Sequence, residues 1–309
     1  MDEPKQDLAG RRILVTGGAG FIGGHVTRLL ADAGASVVVA DTAPCDVPDG
    51  CVALTGDLRD PAFRDAAVTA GLDGIVHLAA ATSVLASVRD PAGVHELNVT
   101  ATAGLLELAR LRGVPRFLLA STNAVVGDVG TAVIDESSPL RPLTPYGASK
   151  AACEMLLSGY AGAYGMATCA LRFTNVYGSG MAHKDSFVPR LMRAARSGET
   201  IRVYGDGKQT RDLVHVEDVA RGVLIAWSAQ ALGPLVIGAG RSVSVLDLVQ
   251  AAREATGRPL PAEHVPAQTG EMPAVVVSIA RARALGYEPR VGLEQGLAGV
   301  WQDLREQRP

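Results

Sequence analysis

The chain has little that would suit it to a membrane, a nucleic acid or an oxidising compartment. Its longest apolar runs fall well short of the ~20 residues that span a bilayer. The first nine residues are mostly polar, with Pro4 and Lys5 where a leader would carry its apolar core. Lys and Arg total 29 against 32 acids, a formal net charge of -3, with no block of like charge. That removes the electrostatic footprint of a nucleic-acid or anionic-membrane binder. The four cysteines, Cys45, Cys51, Cys153 and Cys169, form no C-x-x-C pair, and three sit in or beside apolar stretches as reduced thiols would. Neither a disulfide framework nor a metal site is expected. Internal repeats and low-complexity tracts are missing too, so the expectation is a soluble cytoplasmic protein.

What the sequence does have is bulk and glycine. Its 309 residues are 48% hydrophobic and include 35 glycines, enough for one large α/β domain or two smaller ones. Short, near-continuously apolar stretches at 12–16, 36–40, 51–54, 74–78, 116–120 and 167–172 read as strands of a parallel sheet covered by helices on both faces. Helical periodicity falls between them at 22–33 and 99–112, the second stopped by Gly113 and Pro115. Thr144-Pro145 reads as an N-cap followed by proline at the first helical position, which places Tyr146 in an opening turn. From about residue 175 the alternation breaks down, although helices are still expected at 187–197 and 244–256. The expected division is therefore a doubly wound nucleotide-binding domain over 1–175 and a substrate-binding lobe over 176–309. Parts of 204–240 are expected to return to the first sheet.

Two motifs carry chemistry. Residues 13–23, ILVTGGAGFIG, run a β-branched strand into Gly17, Gly20 and Gly23 and then into a helix. Such a turn lets a dinucleotide pyrophosphate approach bare N–H groups at a positive helix end. Asp41 closes the next strand, VVVAD, where its carboxylate can accept both hydroxyls of an adenosine ribose. It would repel a 2′-phosphate, and no arginine follows closely, so NAD is favoured over NADP. The second motif, YGASK, sets the phenol of Tyr146 and the ammonium of Lys150 one turn apart on one helix face. Ser121 and Thr122 end the strand FLLAST, and His77-Leu78-Ala79-Ala80 ends another, at the edge where ligands of such sheets bind. Asn98 is read as either the N-cap of the following helix or part of a polar network beside the lysine.

With these residues in view, the chain resembles the extended short-chain dehydrogenase/reductases, within them the NAD-dependent sugar-nucleotide epimerase/dehydratase group. TGGAGFIG, HLAA, NVTAT, YGASK, LRFTNVYG and YGDGKQTRDLVHVEDVARG carry the likeness across nearly the whole chain. The resemblance implies a Rossmann-type fold, with Tyr146 as general base, Lys150 lowering its pKa and holding the nicotinamide ribose, and Thr122 bonding the sugar C4 oxygen. It also implies a cofactor groove formed by Phe21 and Ile22 beside the glycines, Asp57 and Leu58 at the adenine, and Leu78, Ala79, Ala80, Asn98, Ser121 and Phe173 toward the nicotinamide. For substrate, Asn175 and Arg211 are similar to diphosphate ligands, Phe187, Val188, Arg202 and Tyr204 to residues around the nucleobase, and Asn123 to a sugar neighbour.

Departures from the family pattern sharpen the reading. Gln268-Thr269-Gly270-Glu271 stands where a second diphosphate arginine is usual, and Leu213 where many members carry an aromatic residue. After Thr122 come Asn123-Ala124, where dehydratases and decarboxylases place a glutamate, and no cysteine lies at 121–124. Neither side chain can exchange a proton, so chemistry beyond C4 lacks its shuttle. The expected reaction is C4 epimerisation of a nucleotide-diphosphate sugar, a UDP-hexose or UDP-hexuronate, with NAD. Other sugar-nucleotide oxidoreductase or dehydratase outcomes, a small non-nucleotide substrate and a non-catalytic nucleotide-binding module stand as alternatives. His183 and Lys184 read as substrate contacts or a solvated loop, with no catalytic role. The resemblance further implies a homodimer built on a four-helix bundle from helices near 93–112 and 146–164.

Overall fold

A computed structural model of the chain describes residues 8–266 and 273–306. Five strands are laid down first: β1 Arg12–Thr16, β2 Ser36–Asp41, β3 Val52–Thr55, β4 Gly74–His77 and β5 Arg116–Thr122. They are followed by β6 Val133–Ile134, β7 Ala167–Phe173, β8 Asn175–Tyr177, β9 Ile201–Tyr204, β10 Thr210–His215, β11 Gly233–Ile237, β12 Ser242–Ser244, β13 Ala262–Val265 and β14 Val276–Val277. Seven of these form one parallel sheet in the order β11-β7-β5-β4-β1-β2-β3. The strand order reverses beside β1, between β2 and β4. This is the crevice where doubly wound sheets bind ligands.

The six strands expected from the sequence all form, with ends displaced by two residues at most. Their residues are apolar on both faces because helices cover both. On one face lie α1 Phe21–Asp32 and α8 Val216–Ser228, which pack on each other. On the other lie α2 Pro61–Ala67, α5 Ala101–Leu111 and α6 Pro145–Tyr164, the last joined to α3 Val84–Arg89 and α4 Pro91–His95. Leu14, Ile75 and Leu118 are fully buried, and each such side chain stabilises the fold by roughly 1.5–3 kcal/mol.

Two expectations change. The helix predicted over 99–112 starts earlier, at Pro91, and passes through a π-helical turn, Glu96–Thr100, before α5. Asn98 therefore lies inside a helix and caps nothing. Of the 204–240 stretch, β11 joins the central sheet beside β7 and α8 packs beneath it, whereas 204–215 does not return. Instead β10 pairs with β8 and β12, and β9 with β13. These small sheets combine with α7 Phe187–Ser197, α9 Val245–Thr256 and α11 Leu293–Glu306 around a separate core that includes Leu191, Met192 and Trp301. The short α10 Ala280–Ala284 packs near β11.

Candidate active site

The glycine turn after β1 is built by close approach. Gly17 has φ 73°, and a Cβ there would stand 2.6 Å from the backbone nitrogen of Ala79. At Gly23 a Cβ would overlap the carbonyl oxygen of Gly17, so the first turn of α1 can sit against the loop only without a side chain. Gly20 occupies the N-cap and supplies no side-chain acceptor. The opening N–H groups of α1 are thus left for an anion. Asp41, at the end of β2, accepts from Ala19 N at 3.0 Å and from Ala43 N at 3.1 Å, which ties its carboxylate to the rim of the loop. Asp57 accepts from the Arg59 guanidinium at 2.9 and 2.6 Å, and this pairing holds its carboxyl below the usual range. Nothing in the sequence pattern had singled out Arg59.

At the ends of β1 and β4 a directional hydrogen-bond chain runs behind the reacting groups. The Thr102 hydroxyl donates to Asn98 O at 2.5 Å, which leaves it to accept from His77 Nε2 at 2.8 Å. His77 Nδ1 must then accept from Thr16 Oγ1 at 2.6 Å, and Thr16 Oγ1 in turn accepts from Ala79 N at 3.3 Å. The donor count thereby fixes the neutral tautomer of His77. The Asn98 side chain accepts from Ala81 N and donates to Ala81 O and to Ser149 Oγ, and Ser149 donates to the carbonyl of Tyr146. One buried asparagine therefore couples the loop after β4 to the start of α6.

Helix α6 begins as expected, with Thr144 Oγ1 accepting from Gly147 N at 3.1 Å and Pro145 in its first turn. Ser87 adds a bond from Tyr146 N at 3.2 Å. The Tyr146 phenol is hydrogen-bonded by Thr122, yet burial dominates and pushes its pKa up to about 12. Burial pulls the Lys150 ammonium the other way, to about 8. Lys150 is 2% exposed and has no hydrogen-bond partner among the described residues. Ser121 stands at the strand end and lines the cleft, with its hydroxyl engaged by a neighbouring helix. Its hydroxyl donates to Glu154 at 2.5 Å, and Glu154 pairs with Arg172 at 2.8 Å within a buried ion pair.

The glycine turn, Asp41, Asp57, Thr122, Tyr146 and Lys150 face one cleft of about 1390 Å³, and the buried network of Thr16, His77, Asn98 and Thr102 stands behind it. Gly17, Gly20, Phe21, Ile22, Gly23, Asp41, Asp57 and Leu58 line one end. Leu78, Ala79, Ala80, Ser121, Thr122, Tyr146, Lys150 and Phe173 line the middle, with Asn123 and Ala124 beside Thr122. Asn98, expected as a cofactor contact, is 1% exposed and stands behind this wall. It holds the wall in place; it does not form its surface.

The far end of the cleft takes the residues expected around substrate. Asn175 donates to Asp212 O at 3.0 Å, Arg211 donates to Thr210 O at 2.9 Å, and Arg202 meets Glu263 at 3.2 Å. Phe187 and Val188 open α7, but Val188 is 2% exposed and belongs mostly to the core beneath. Tyr204 and Leu213 complete this wall, and Gln268 to Glu271 lie outside the described residues. Lys184, Arg190 and Arg193 also line the cleft; of these, sequence reading had raised only Lys184. His183 is exposed and away from it.

A strand-end carboxylate, a glycine cradle that a Cβ would fill, and a buried lysine ammonium with no acceptor among the described residues all suit a dinucleotide. Together they define a nucleotide-cofactor enzyme of the Rossmann class. The family model for the NAD dependent epimerase/dehydratase family matches residues 13–238, and the chain belongs to that family. NAD is accordingly its cofactor. The chain is 35% identical over 301 residues to a UDP-glucose 4-epimerase of Streptomyces lividans, covering 90% of this chain and 91% of that one. It is 33% identical over 305 residues to a dTDP-glucose 4,6-dehydratase of Streptomyces griseus, covering 93% and 92%. Among solved structures, MoeE5 in complex with UDP-glucuronic acid and NAD superposes with a TM-score of 0.87 at 35% identity, over 96% of this chain and all of that one. Among the described residues no helix is long and apolar enough to cross a membrane, and no cluster of side chains could hold a metal ion.

Proposed function

We propose that the protein interconverts the C4 epimers of a nucleotide-diphosphate sugar, a UDP-hexose or UDP-hexuronate, through a 4-keto intermediate. The observation that carries this reading is the composition of the cleft around Thr122. The acids lining the cleft among the described residues are Asp41, Asp57, Asp185 and Glu199. The first three are engaged by Ala19 and Ala43, by Arg59 and by Arg190, and Glu199 follows α7 at the substrate end. Beside Thr122 stand only Asn123 and Ala124, so the site can move the C4 hydroxyl proton but has no carboxylate there to drive elimination across C5 and C6.

In this reading Tyr146 takes the C4 hydroxyl proton and later returns it, while the Thr122 hydroxyl holds the same oxygen. A phenol at about 12 is a poor base at neutral pH. The Lys150 ammonium one turn along, and the positive nicotinamide, supply the charge that stabilises the phenolate. NAD, held between the glycine turn, Asp41 and Lys150, would supply reversible hydride acceptance at C4. Asn98, through Ser149, fixes the helix that carries the base. Asn175 and Arg211 hold the diphosphate, with Phe187, Val188, Arg202 and Tyr204 around the base, so binding energy comes from the nucleotide and leaves the sugar free to turn.

We further assign residues 1–175 to cofactor and 176–309 mainly to substrate, with β11 and α8 serving the first body. We place the protein in the cytoplasm, in keeping with its four free thiols, as a homodimer through α5 and α6. The likeness to dehydratases keeps one second reading, 4,6-dehydration, which would lower product mass by one water. Incubation with UDP-, dTDP-, GDP- and CDP-sugars, followed by NMR of the C4 proton and mass spectrometry, decides between them. The epimerase reading requires an isomer of equal mass with no net consumption of NAD.

A further inference from the structure

Three lysines lie among the described residues, and they are used unequally. Lys208 pairs with Asp206 at 3.6 Å in solvent. Lys150 and Lys184 both line the cleft, and neither ammonium has a hydrogen-bond or acid partner among the described residues. The mechanism absorbs Lys150 and leaves Lys184 without a role.

Lys184 is carried on the 178–186 loop, which crosses from the substrate side to α1. Gly178 N donates to Met181 Sδ at 3.2 Å, Gly180 N to Asp303 Oδ2 at 2.7 Å, and Lys184 N to Met181 O at 2.9 Å. Arg193 donates to the carbonyls of Ala182 and Lys184 at 2.9 and 3.0 Å. The loop reaches α1 where Ser179 O meets His25 Nε2 at 3.3 Å. From this pinned backbone the Lys184 ammonium reaches 5.6 Å from the centroid of the Phe21 ring. Phe21 is the first residue of α1, immediately after the glycine turn.

That location is electrostatically awkward in the protein by itself. The Phe21 ring attracts the cation weakly, but a helix N-terminus carries partial positive charge, and an anion between the two would answer both. The neighbouring carboxylate cannot compensate, because Asp185 is held by Arg190 at 2.6 and 2.8 Å and approached by Arg193 at 3.7 Å. Burial also lowers the Lys184 pKa. A pyrophosphate carries two negative charges and would answer both the helix end and the lysine.

We propose that Lys184 is a cofactor-retention residue, its ammonium closing over the NAD pyrophosphate at the start of α1 and holding the coenzyme in place between the two hydride transfers. This rests on the NAD site but not on the epimerase reading. A reaction that regenerates its own coenzyme gains from never releasing it, and a contact from the opposite wall of the cleft provides that.

The test measures NAD binding without sugar, by calorimetry on NAD-free protein at low and high salt, for wild type, Lys184→Gln and Lys184→Arg. The expected result is about tenfold weaker binding for K184Q at low salt, a shallower salt dependence, and near-wild-type behaviour for K184R. Purified K184Q should also carry less NAD per protomer. Wild-type affinity in K184Q overturns the proposal, and a raised KM for the nucleotide sugar in that variant would reassign the ammonium to substrate. An equal loss in K184R overturns it too, since charge would not be what matters. Wild-type protein that binds NAD yet fails to epimerise any sugar would defeat the proposed reaction and leave this inference intact.

Discussion

Tyr146 and His77 illustrate how one environment sets two side chains to opposite tasks. Replacing Tyr146 with Phe removes the proposed base while keeping its ring packing. Turnover should fall by about 10²–10⁴, with NAD and nucleotide affinity unchanged by titration calorimetry. His77 is buried and neutral, with its pKa depressed to about 3 mainly by burial and secondly by Lys150. In the unfolded chain it titrates near 6.5. The unfolded state therefore binds the extra proton first on acidification, and the stabilisation is complete above 6.5 and lost as pH falls toward 3. Between pH 7.5 and 5 this residue alone should remove about 2 kcal/mol of stability, measured by urea unfolding. His77→Gln should flatten that dependence; an unchanged slope would show that other groups govern acid sensitivity.

Among the elements, the glycine turn and the π turn teach different things about legibility. The glycines, Asp41 and the start of α6 could be read directly, because each rests on local geometry: a positive φ, a strand end, a cap with proline behind it. Their energetic consequences follow from the same geometry. Gly23→Ala should abolish NAD binding and cost about 2 kcal/mol or more, since its Cβ would meet backbone that cannot retreat. Gly24→Ala is the control: its nearest obstacle is 3.8 Å away, and thermal unfolding should show it neutral or stabilised by up to ~1 kcal/mol. The π turn was not legible. The sequence reads as helix only over 99–112, and the Asn98 carbonyl within the turn is met by the local hydroxyl of Thr102 and, across the fold, by Cys153 Sγ at 3.0 Å, a contact no local pattern announces. Glu154 and Arg172 escaped notice for the same reason, since their pairing joins residues 18 apart across a helix and a strand.

At the scale of the whole molecule, the central sheet was legible because its strands are apolar on both faces, and the return of β11 because a glycine-flanked apolar run suits an edge beside β7. The failure of 204–215 to follow reflects pairing partners, β8 and β12, that no periodicity reveals. One helix face carries small and exposed residues. On α6, Met155 is 57% exposed and Gly159 and Gly162, four and seven residues further along the same face, meet open space, and on α5 Leu111 is 63% exposed. Small residues along a helix let a second helix approach closely, and two such helices per protomer would form the proposed four-helix bundle. Met155 lies outside the cleft, so Met155→Glu should leave the fold and the cofactor site unchanged while placing a charge in the seam of that bundle. Sedimentation velocity should find wild type as a dimer and the variant as a monomer, with NAD bound equally by both. A wild type that sediments as a monomer would remove the bundle and leave the exposed face of α6 as ordinary surface.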